Sequence, residues 1–242
     1  MRSASAIALT LLGAAALAGC ATTQQLSARA GVRAQRTLAS RRALFVTHVN
    51  RDVAVLAATL VHGRHGRAAV VVRLRNRRGA AVSDLPLSVG VRLPGGRLAV
   101  LNRRGGLPYF QTHAPVLPAR ATVTWVFLAR RPIPSGARPF ARVGRPVPHP
   151  PTRVRALPQL DVSVAHRRER ASVAATLVND SDVPQYDLDV YAWAARGHRV
   201  VAAGRVRVPH LGTHARRTLA IPLVGDAHGA DVHVAAPPTL FQ

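Results

Sequence analysis

Apolar residues recur at every second position in several short stretches of this 242-residue chain. In the clearest stretch, "VVVRLR" at residues 70–75, Val70, Val72 and Leu74 alternate with positions that include Arg73. Neighbouring side chains of a β-strand point to opposite faces, so this period predicts strands with one buried face. Glycine, proline, asparagine and aspartate return about every 8 to 12 residues, which is the turn spacing of an antiparallel β-sandwich.

The chain also contains two similar segments. The stretch "RAAVVVRLRN" (67–76) matches "RASVAATLVN" (170–179), 103 residues further on. The first copy then has about nine extra residues, after which "LPARATVTWVF" (117–127) matches "LGTHARRTLAI" (211–221). Shorter matches at the outer ends pair residues 52–55 with 161–164 and residues 141–144 with 232–235.

These matches predict a tandem duplication. We expect an all-β fold of two tandem antiparallel β-sandwich domains, at residues 52–144 and 159–242. Between them, residues 145–158 contain five prolines. Proline at this density favours extended polyproline II conformation, so this segment is predicted to be a semi-rigid linker.

The second copy reads "VAATLVNDSDVPQYDLDVYAWAARGHRVVAAG" at residues 173–204. Its order of strand, "NDSD" turn, strand, glycine turn and strand resembles the FxLYD domain, an immunoglobulin-like bacterial module. Residues 190–194 stand where that family has its defining motif. The resemblance implies immunoglobulin-like β-sandwiches of an exported or lipid-anchored protein, a scaffold or binding role, and no catalytic residues.

The N-terminal residues have the plan of a secretory signal. Arg2 precedes an apolar run at residues 6–18, which is too short for a bilayer span of about 20 residues. The following "LAGC" (17–20) resembles the lipobox of bacterial lipoproteins, which implies removal of residues 1–19 and acylation of Cys20. The alternative is an ordinary signal peptide that leaves an unpaired thiol. The lipoprotein interpretation predicts anchoring to the exported side of the cell membrane or the outer membrane.

Positive charge is concentrated in one part of the chain. Residues 21–160 contain 24 arginines and two aspartates, whereas residues 161–242 contain 9 arginines and 8 acidic residues. A composition bias of the whole genome would raise both halves alike. The asymmetry therefore predicts that the first domain meets anionic partners, such as anionic lipid or a cell-wall polymer.

Residues 20–51 are predicted to be a basic, membrane-proximal linker. Arg29, Arg33 and Arg36 would share one face of any helix formed there. Each arginine near an anionic surface contributes about 1 kcal/mol of attraction. The alternative is a solvated tether.

Two groups of residues are candidates for binding. The extra loop of the first copy (102–115) contains Arg103, Arg104, Tyr109, Phe110 and His113. Arginine pairs with carboxylate or phosphate groups, and aromatic rings pack against sugars or lipid headgroups, so this loop is a candidate ligand site. The alternative is a long hairpin whose aromatic side chains fold back and cap the sandwich.

The second group lies on one predicted strand of the second copy. Alternation there directs Asp187, Asp189, Tyr191 and Trp193 away from the core, which would expose an aromatic pair to a protein partner. The alternatives are a β-bulge that turns Trp193 inward, or packing of this face between the two domains.

The sequence contains none of the common catalytic motifs. His210 and His214 have the spacing of a helical metal-ligand pair, but Pro209 and Gly212 argue against a helix. We predict no catalytic residues, no metal and no cofactor. The expected function is a non-catalytic, lipid-anchored envelope protein whose second domain binds a protein partner. The alternatives are an exported nucleic-acid-binding protein, or an accessory subunit of an envelope enzyme or transporter.

Overall fold

The computed structural model describes Ala30, Gly31, Ala34, Arg36 and Thr37 together with residues 44–145, 157–169 and 171–239. Strands account for 56% of the described residues, so the predicted all-β class is confirmed. No helix within the described ranges is long and apolar enough to cross a bilayer. The strands are β1 (Val53–His62), β2 (Ala68–Asn76), β3 (Leu85–Arg92), β4 (Leu98–Val100), β5 (His113–Ala114), β6 (Thr122–Ala129), β7 (Arg138–Val143), β8 (Leu160–Glu169), β9 (Ser172–Asn179), β10 (Gln185–Arg196), β11 (Arg199–Leu211), β12 (Arg216–Gly225) and β13 (Asp231–Ala235).

The first half, β1 to β7, forms two antiparallel sheets. One has the order β1-β2-β6. In the other, β3 is paired with β7 along one edge and with β4 and β5 along the other. Alternate side chains of the facing strands, among them Leu74, Leu87 and Trp125, are fully buried in one apolar core.

The second half, β8 to β13, is one six-stranded sheet that is nearly closed, with the order β13-β10-β11-β12-β9-β8. Its strands do not divide into two separate sheets, because β11 and β12 stay paired over a short corner that contains Gly204. A Cβ atom at Gly204 would lie 2.1 Å from the carbonyl oxygen of Pro222. Glycine is therefore needed for the two strands to approach each other there.

The two halves share their strand connectivity. β2 lies between β1 and β6 as β9 lies between β8 and β12, and β3 pairs with β4 and β7 as β10 pairs with β11 and β13. β5 and the one-turn 3-10 helix Tyr109–Gln111 belong to the extra loop and have no counterpart in β8 to β13. The first half therefore has one strand more than the second.

Local geometry repeats at two pairs of positions, one separated by the same 103 residues as the first matched segments and one within the matched segments 117–127 and 211–221. Asp84 and Asp187 have positive φ angles of 52° and 53°, and Arg120 and His214 have 57° and 49°. Side chains other than glycine rarely adopt this left-handed conformation. Its recurrence at both matched pairs indicates that the two halves use the same turns.

One asparagine anchors the same hairpin in each half. The side-chain nitrogen of buried Asn76 donates to the carbonyl oxygens of Ala80, Leu117 and Pro118 at 2.8, 3.2 and 3.0 Å. The equivalent nitrogen of Asn179 donates to Val183 and Gly212 at 3.0 and 2.8 Å. In both halves this side-chain amide links the turn after its own strand to the loop just before the neighbouring strand, which is β6 in the first half and β12 in the second.

The strand pairing corrects the sequence matches at the outer ends. Val53 lies opposite Asn76 and Leu160 lies opposite Asn179, so Val53 is equivalent to Leu160. The sequence comparison had matched Val53 with Val162, which is two residues further on. The match of the last strands is displaced by the same number, because Val234 is the structural equivalent of Ala141.

The two halves pack directly against each other. One apolar cluster joins Val61 and Val71 of the first half to Tyr191, Ala203 and Val224 of the second. The approach is close, since a Cβ atom added at Gly63 would lie 2.9 Å from a methyl carbon of Val224. The halves are thus in direct contact. Most of the predicted linker, residues 146–156, lies outside the described residues.

Candidate binding site at the junction of the two halves

The extra loop is held in place by buried polar contacts. Asn102 donates to the carbonyl oxygens of Leu87 and Gln111 at 2.6 and 3.0 Å and accepts from the backbone of Val89 at 2.9 Å. The indole nitrogen of Trp125 donates to the carbonyl oxygen of Phe110 at 3.0 Å. These bonds fix the loop against β3 and β6.

The aromatic residues of the loop fold back onto the sandwich. Phe110 and His113 are both 4% exposed. The His113 ring stacks on Tyr109 at 4.0 Å, and burial lowers the pKa of His113 to about 4. Burial likewise raises the pKa of Tyr109 above its usual range. Phe110 and His113 therefore cap the first half.

The loop arginines lie apart from these aromatic residues. Arg103 and Arg104 are exposed, and the guanidinium of Arg103 lies 5.6 Å from the centre of the Phe45 ring. The five candidate residues of the loop are thus divided between the interior and the solvent.

Arg36 packs into the protein, contrary to the expected membrane-facing position. Its guanidinium pairs with Asp84 at 3.0 Å and lies 5.2 Å from the centre of the Tyr109 ring. Only 11% of its side chain is exposed, because the extra loop covers it. Arg29, Arg33 and Cys20 lie outside the described residues.

The aromatic pair on β10 is covered by the first half. Tyr191 is fully buried in the apolar cluster that joins the halves, and Trp193 is half-buried against the same cluster and stacks on His233 at 5.4 Å. Alternation along β10 does direct this face away from the core of the second half. Tyr191 is therefore not part of an exposed surface, and the alternative of packing between the two halves is the one that the structure shows there.

The same packing buries a carboxylate that the sequence placed on the outward face of β10, away from the core of the second half. Asp189 is 4% exposed and lies 3.5 Å from the Nε atom of Arg205, whose side chain is also buried. Burial raises the pKa of Asp189 to about 6, although Arg205 and Arg207 favour its charged form. The hydroxyl group of Tyr191 also favours the charged form of Asp189, as a hydrogen-bond partner.

A cavity of about 360 Å³ lies where these elements meet, and we call it the junction cavity. Its walls come from Arg36 and Thr37 ahead of β1, from the extra loop, and from β10 and β11. The residues that line it are Arg36, Thr37, Gly106, Leu107, Pro108, Tyr109, Phe110, Asp187, Asp189 and Arg207. Asp187 is occupied by an ion pair with Arg207 across the β10–β11 ladder.

Sequence reasoning singled out Arg36, Tyr109 and Phe110 but missed the contribution of Asp189 and Arg207 to the same site. Asp189 and Arg207 are opposite each other in the β10–β11 register. The sequence signal for this pair was an aspartate on one predicted strand and an arginine on the next. Only the packing of the halves brings that pair to the extra loop.

A second hollow, of about 510 Å³, lies where β1 begins beside β7. Arg51, Arg77 and Arg142 line it, and no carboxylate does. Asp52 is nearby in sequence but pairs with Arg78 at 3.7 Å. We call this the arginine hollow; the sequence analysis did not find it, because its arginines come from three separate segments.

The histidine pair with metal-ligand spacing is split in the structure. His214 pairs with Asp182 at 2.8 Å, whereas His210 packs on the ring of Tyr186. Within the described ranges, no three histidine, cysteine, aspartate or glutamate side chains are grouped so as to hold a metal ion.

Comparison with known proteins gives weak similarities. No protein-family model matches the sequence, and no curated protein matches it. The chain is similar to the C-terminal globular domain of oligosaccharyltransferase from Pyrococcus abyssi at 8% identity and a TM-score of 0.22, over 85% of this chain and 53% of that one. It is similar to red sea bream transglutaminase at 13% identity and a TM-score of 0.20, over 87% of this chain and 33% of that one.

The chain therefore spans about half and about a third of the length of those two proteins. At these TM-scores neither similarity carries an argument about function. The class that the structure itself defines is an all-β protein with antiparallel, sandwich-like sheets.

Proposed function

We propose that this is a lipid-anchored cell-envelope protein with a non-catalytic binding or scaffold role. Acylation at Cys20 would hold it on the exported side of the cell membrane or outer membrane. Two tandem immunoglobulin-like domains would follow, and the shared strand connectivity, turns and asparagine anchors of the two halves support that duplication. The basic first domain contacts anionic envelope components, and the second binds a protein partner.

The observation that carries the proposal is the unbalanced charge of the first half. Every arginine between residues 44 and 145 is exposed. The only aspartates there, Asp52 and Asp84, already pair with Arg78 and Arg36. The remaining arginines have no acidic side chains of their own half to neutralise them, so a polyanion can replace their counterions.

The arginine hollow is the place where such contact would be strongest. Three exposed arginines line one concavity, and a carboxylate or phosphate group can accept paired hydrogen bonds from a guanidinium. A protein partner would use solvent-facing parts of the second half, since its Tyr191 face is covered.

A charge-matched comparison tests the proposal. The full chain in detergent micelles is titrated with polyphosphate and with cell-wall fragments at increasing salt. One variant carries Arg51→Gln, Arg77→Gln and Arg142→Gln; the control, with equal net charge, carries the changes at Arg97, Arg130 and Arg131. Exposed ion pairs contribute about 0.2–1 kcal/mol each, so we expect the hollow variant to bind about tenfold more weakly than the wild type and the control to lose less.

Three results would contradict the proposal. Binding that ignores salt would mean that charge does not drive it, because exposed charges are screened over about 8 Å at physiological ionic strength. Tighter binding to duplex DNA than to wall polymers would favour the nucleic-acid alternative. An unmodified Cys20 thiol, measured by mass spectrometry of the native protein, would exclude the lipid anchor.

A further inference from the structure

We infer that the arginine hollow and the apolar side chains around it dock the first half on an anionic phospholipid bilayer. This inference rests on the proposed function and deepens it, because it names a lipid surface, rather than a soluble wall polymer, as the partner of the hollow. We call this surface the docking face. It comprises Arg51, Arg77 and Arg142 of the hollow, Arg103 of the extra loop, and the exposed side chains of Phe45, Val49 and Leu56.

Exposed apolar side chains are concentrated around the hollow. Among the described residues, five large apolar side chains are exposed, and three of them, Phe45, Val49 and Leu56, lie in or beside the segments that line it. They are 42%, 54% and 51% exposed. A single exposed apolar side chain is ordinary, whereas a group of them rimmed by polar residues marks a contact surface.

The chain ahead of β1 is fixed along the hollow. Val49 forms an antiparallel bridge with Gly144, directly after β7, and the buried side chain of Val46 packs beside the same glycine. With Val46 held inside, Phe45 and Val49 remain on the outside. These two side chains are therefore presented to solvent by an ordered segment.

The third apolar side chain is exposed by an irregularity in β1. The pairing of β1 with β2 shifts between Val55 and Ala57, so Leu56 is the extra residue of a β-bulge. Val55 lines the hollow, which places Leu56 at its border. Bulges recur where a strand has to redirect a side chain.

Arginines alternate with these apolar groups. The guanidinium of Arg103 lies 5.6 Å from the centre of the Phe45 ring, an attraction that keeps a positive charge beside the one aromatic side chain of the face. Arg51 and Arg142 line the hollow together with Val49, and all three side chains are exposed. Positive and apolar groups are thus interleaved on one surface.

This mixture suits a bilayer better than a soluble polymer. A soluble polyanion contacts the arginines and leaves the three apolar side chains in water. At an anionic bilayer the arginines meet lipid phosphates, while the apolar side chains enter the boundary between headgroups and acyl chains. Phe45 follows Cys20 by 25 residues, a span of at most about 90 Å even if fully extended, so an acyl anchor keeps this face close to the bilayer.

Fluorescence quenching by brominated lipid tests this inference. The full chain is reconstituted on vesicles whose phosphatidylcholine carries bromine on its acyl chains, either alone or mixed with phosphatidylglycerol. Phe45→Trp places an indole on the docking face. The control is Leu98→Trp, at a 45% exposed position on β4, across β3 from β7. After subtraction of the wild-type signal, we expect quenching at position 45 to be at least about threefold stronger in the anionic vesicles, with no such excess for the control.

The contribution of charge is measured in the Phe45→Trp chain with the arginine substitutions of the charge-matched comparison. The three substitutions in the hollow should remove the excess quenching, because the arginines no longer hold the face on lipid phosphates. The three control substitutions leave the same net charge and should retain most of the excess.

The apolar contribution is measured in the same chain. Val49→Ser with Leu56→Ser should lower the excess quenching at least about twofold, since binding at the interface increases with the apolar area buried. Leu98→Ser with Val164→Ser, at exposed positions on β4 and β8, should leave it unchanged. Every substituted position is exposed, and circular dichroism checks that each variant is folded.

The inference is overturned if position 45 is quenched equally in anionic and neutral vesicles, or if the apolar substitutions leave the excess unchanged. Flotation of the wild type with neutral vesicles measures the anchor separately, because phosphatidylcholine offers no net charge to the arginines. Flotation and salt-dependent polyanion binding without excess quenching would reject the docking face alone and identify a soluble polymer as the partner of the hollow. Excess quenching without flotation on neutral vesicles would support the docking face and reject the lipid anchor alone.

Discussion

Acidification acts in opposite directions on two buried groups, which gives a quantitative prediction. Burial holds the pKa of His113 at about 4, below its unfolded value of about 6.5. The unfolded chain therefore takes up a proton first as the pH falls, so folded stability is lost between about pH 6.5 and pH 4. The loss is at most about 3 kcal/mol, since one pKa unit corresponds to about 1.4 kcal/mol.

Protonation of Asp189 changes the unfolding free energy in the opposite direction. Burial raises its pKa to about 6 from an unfolded value of 3.8. The folded state then takes up the proton first, so stability is gained as the pH falls from about 6 to about 4, again by about 3 kcal/mol. In the wild type the two contributions largely cancel over this range.

The substitution His113→Gln removes the loss of stability that protonation of His113 causes at low pH, and it leaves the contribution of Asp189 in place. The difference in unfolding free energy between variant and wild type should then change by about 3 kcal/mol from pH 7 to pH 4, in favour of the variant at low pH. Urea unfolding of the full chain, followed by tryptophan fluorescence at pH 7, 5.5 and 4, measures this difference. Groups common to both proteins cancel in the subtraction.

The matched control is His198→Gln, at an exposed histidine in the β10–β11 turn. If the difference between His113→Gln and wild type stays constant across the pH range, burial does not hold His113 neutral, and the reasoning fails.

Two further predictions concern stability at neutral pH. Asn76→Ala and Asn179→Ala should each lower the unfolding free energy by about 2–3 kcal/mol in urea titration, because several carbonyl groups lose their donor; a cost below about 0.5 kcal/mol at either position would contradict the anchoring role. Gly225→Ala should cost about 3 kcal/mol or more, since its φ is 97° and a Cβ atom would lie 2.2 Å from the carbonyl oxygen of Val201. Gly95→Ala is the control, with a φ of 88° and open space around it, and should cost only the backbone strain of about 1–2 kcal/mol; equal losses would mean that the close approach is unimportant.

Much of the strand pattern could be predicted from the sequence alone. The matched segments at residues 67–76 and 170–179 contain β2 and β9, and the extra loop contains the additional strand β5. Period-two alternation is a local property of an extended backbone, so it identified both the strands and their faces. The outer strands were displaced by two residues because short apolar matches such as "DVAV" and "DVSV" do not define a register.

The candidate site could be predicted only in part. Alternation correctly grouped Asp189 with Tyr191 on one face of β10 and Val190 on the other. It contains no information about what covers the outer face of β10, which is decided by packing against the first half of the same chain. Packing between the halves buries Asp189 and Tyr191 and brings the extra loop beside them.

The sequence by itself determined the all-β class, the repeated segments and the excess of positive charge in the first half, since each of these is set by residue types and their spacing. Tertiary structure alone decided which charges are neutralised and which faces meet solvent. Arg36 is paired with Asp84, 48 residues away, while the arginines of the hollow have no carboxylate in its lining. Burial and ion pairing depend on contacts between distant segments, and local spacing does not specify those contacts.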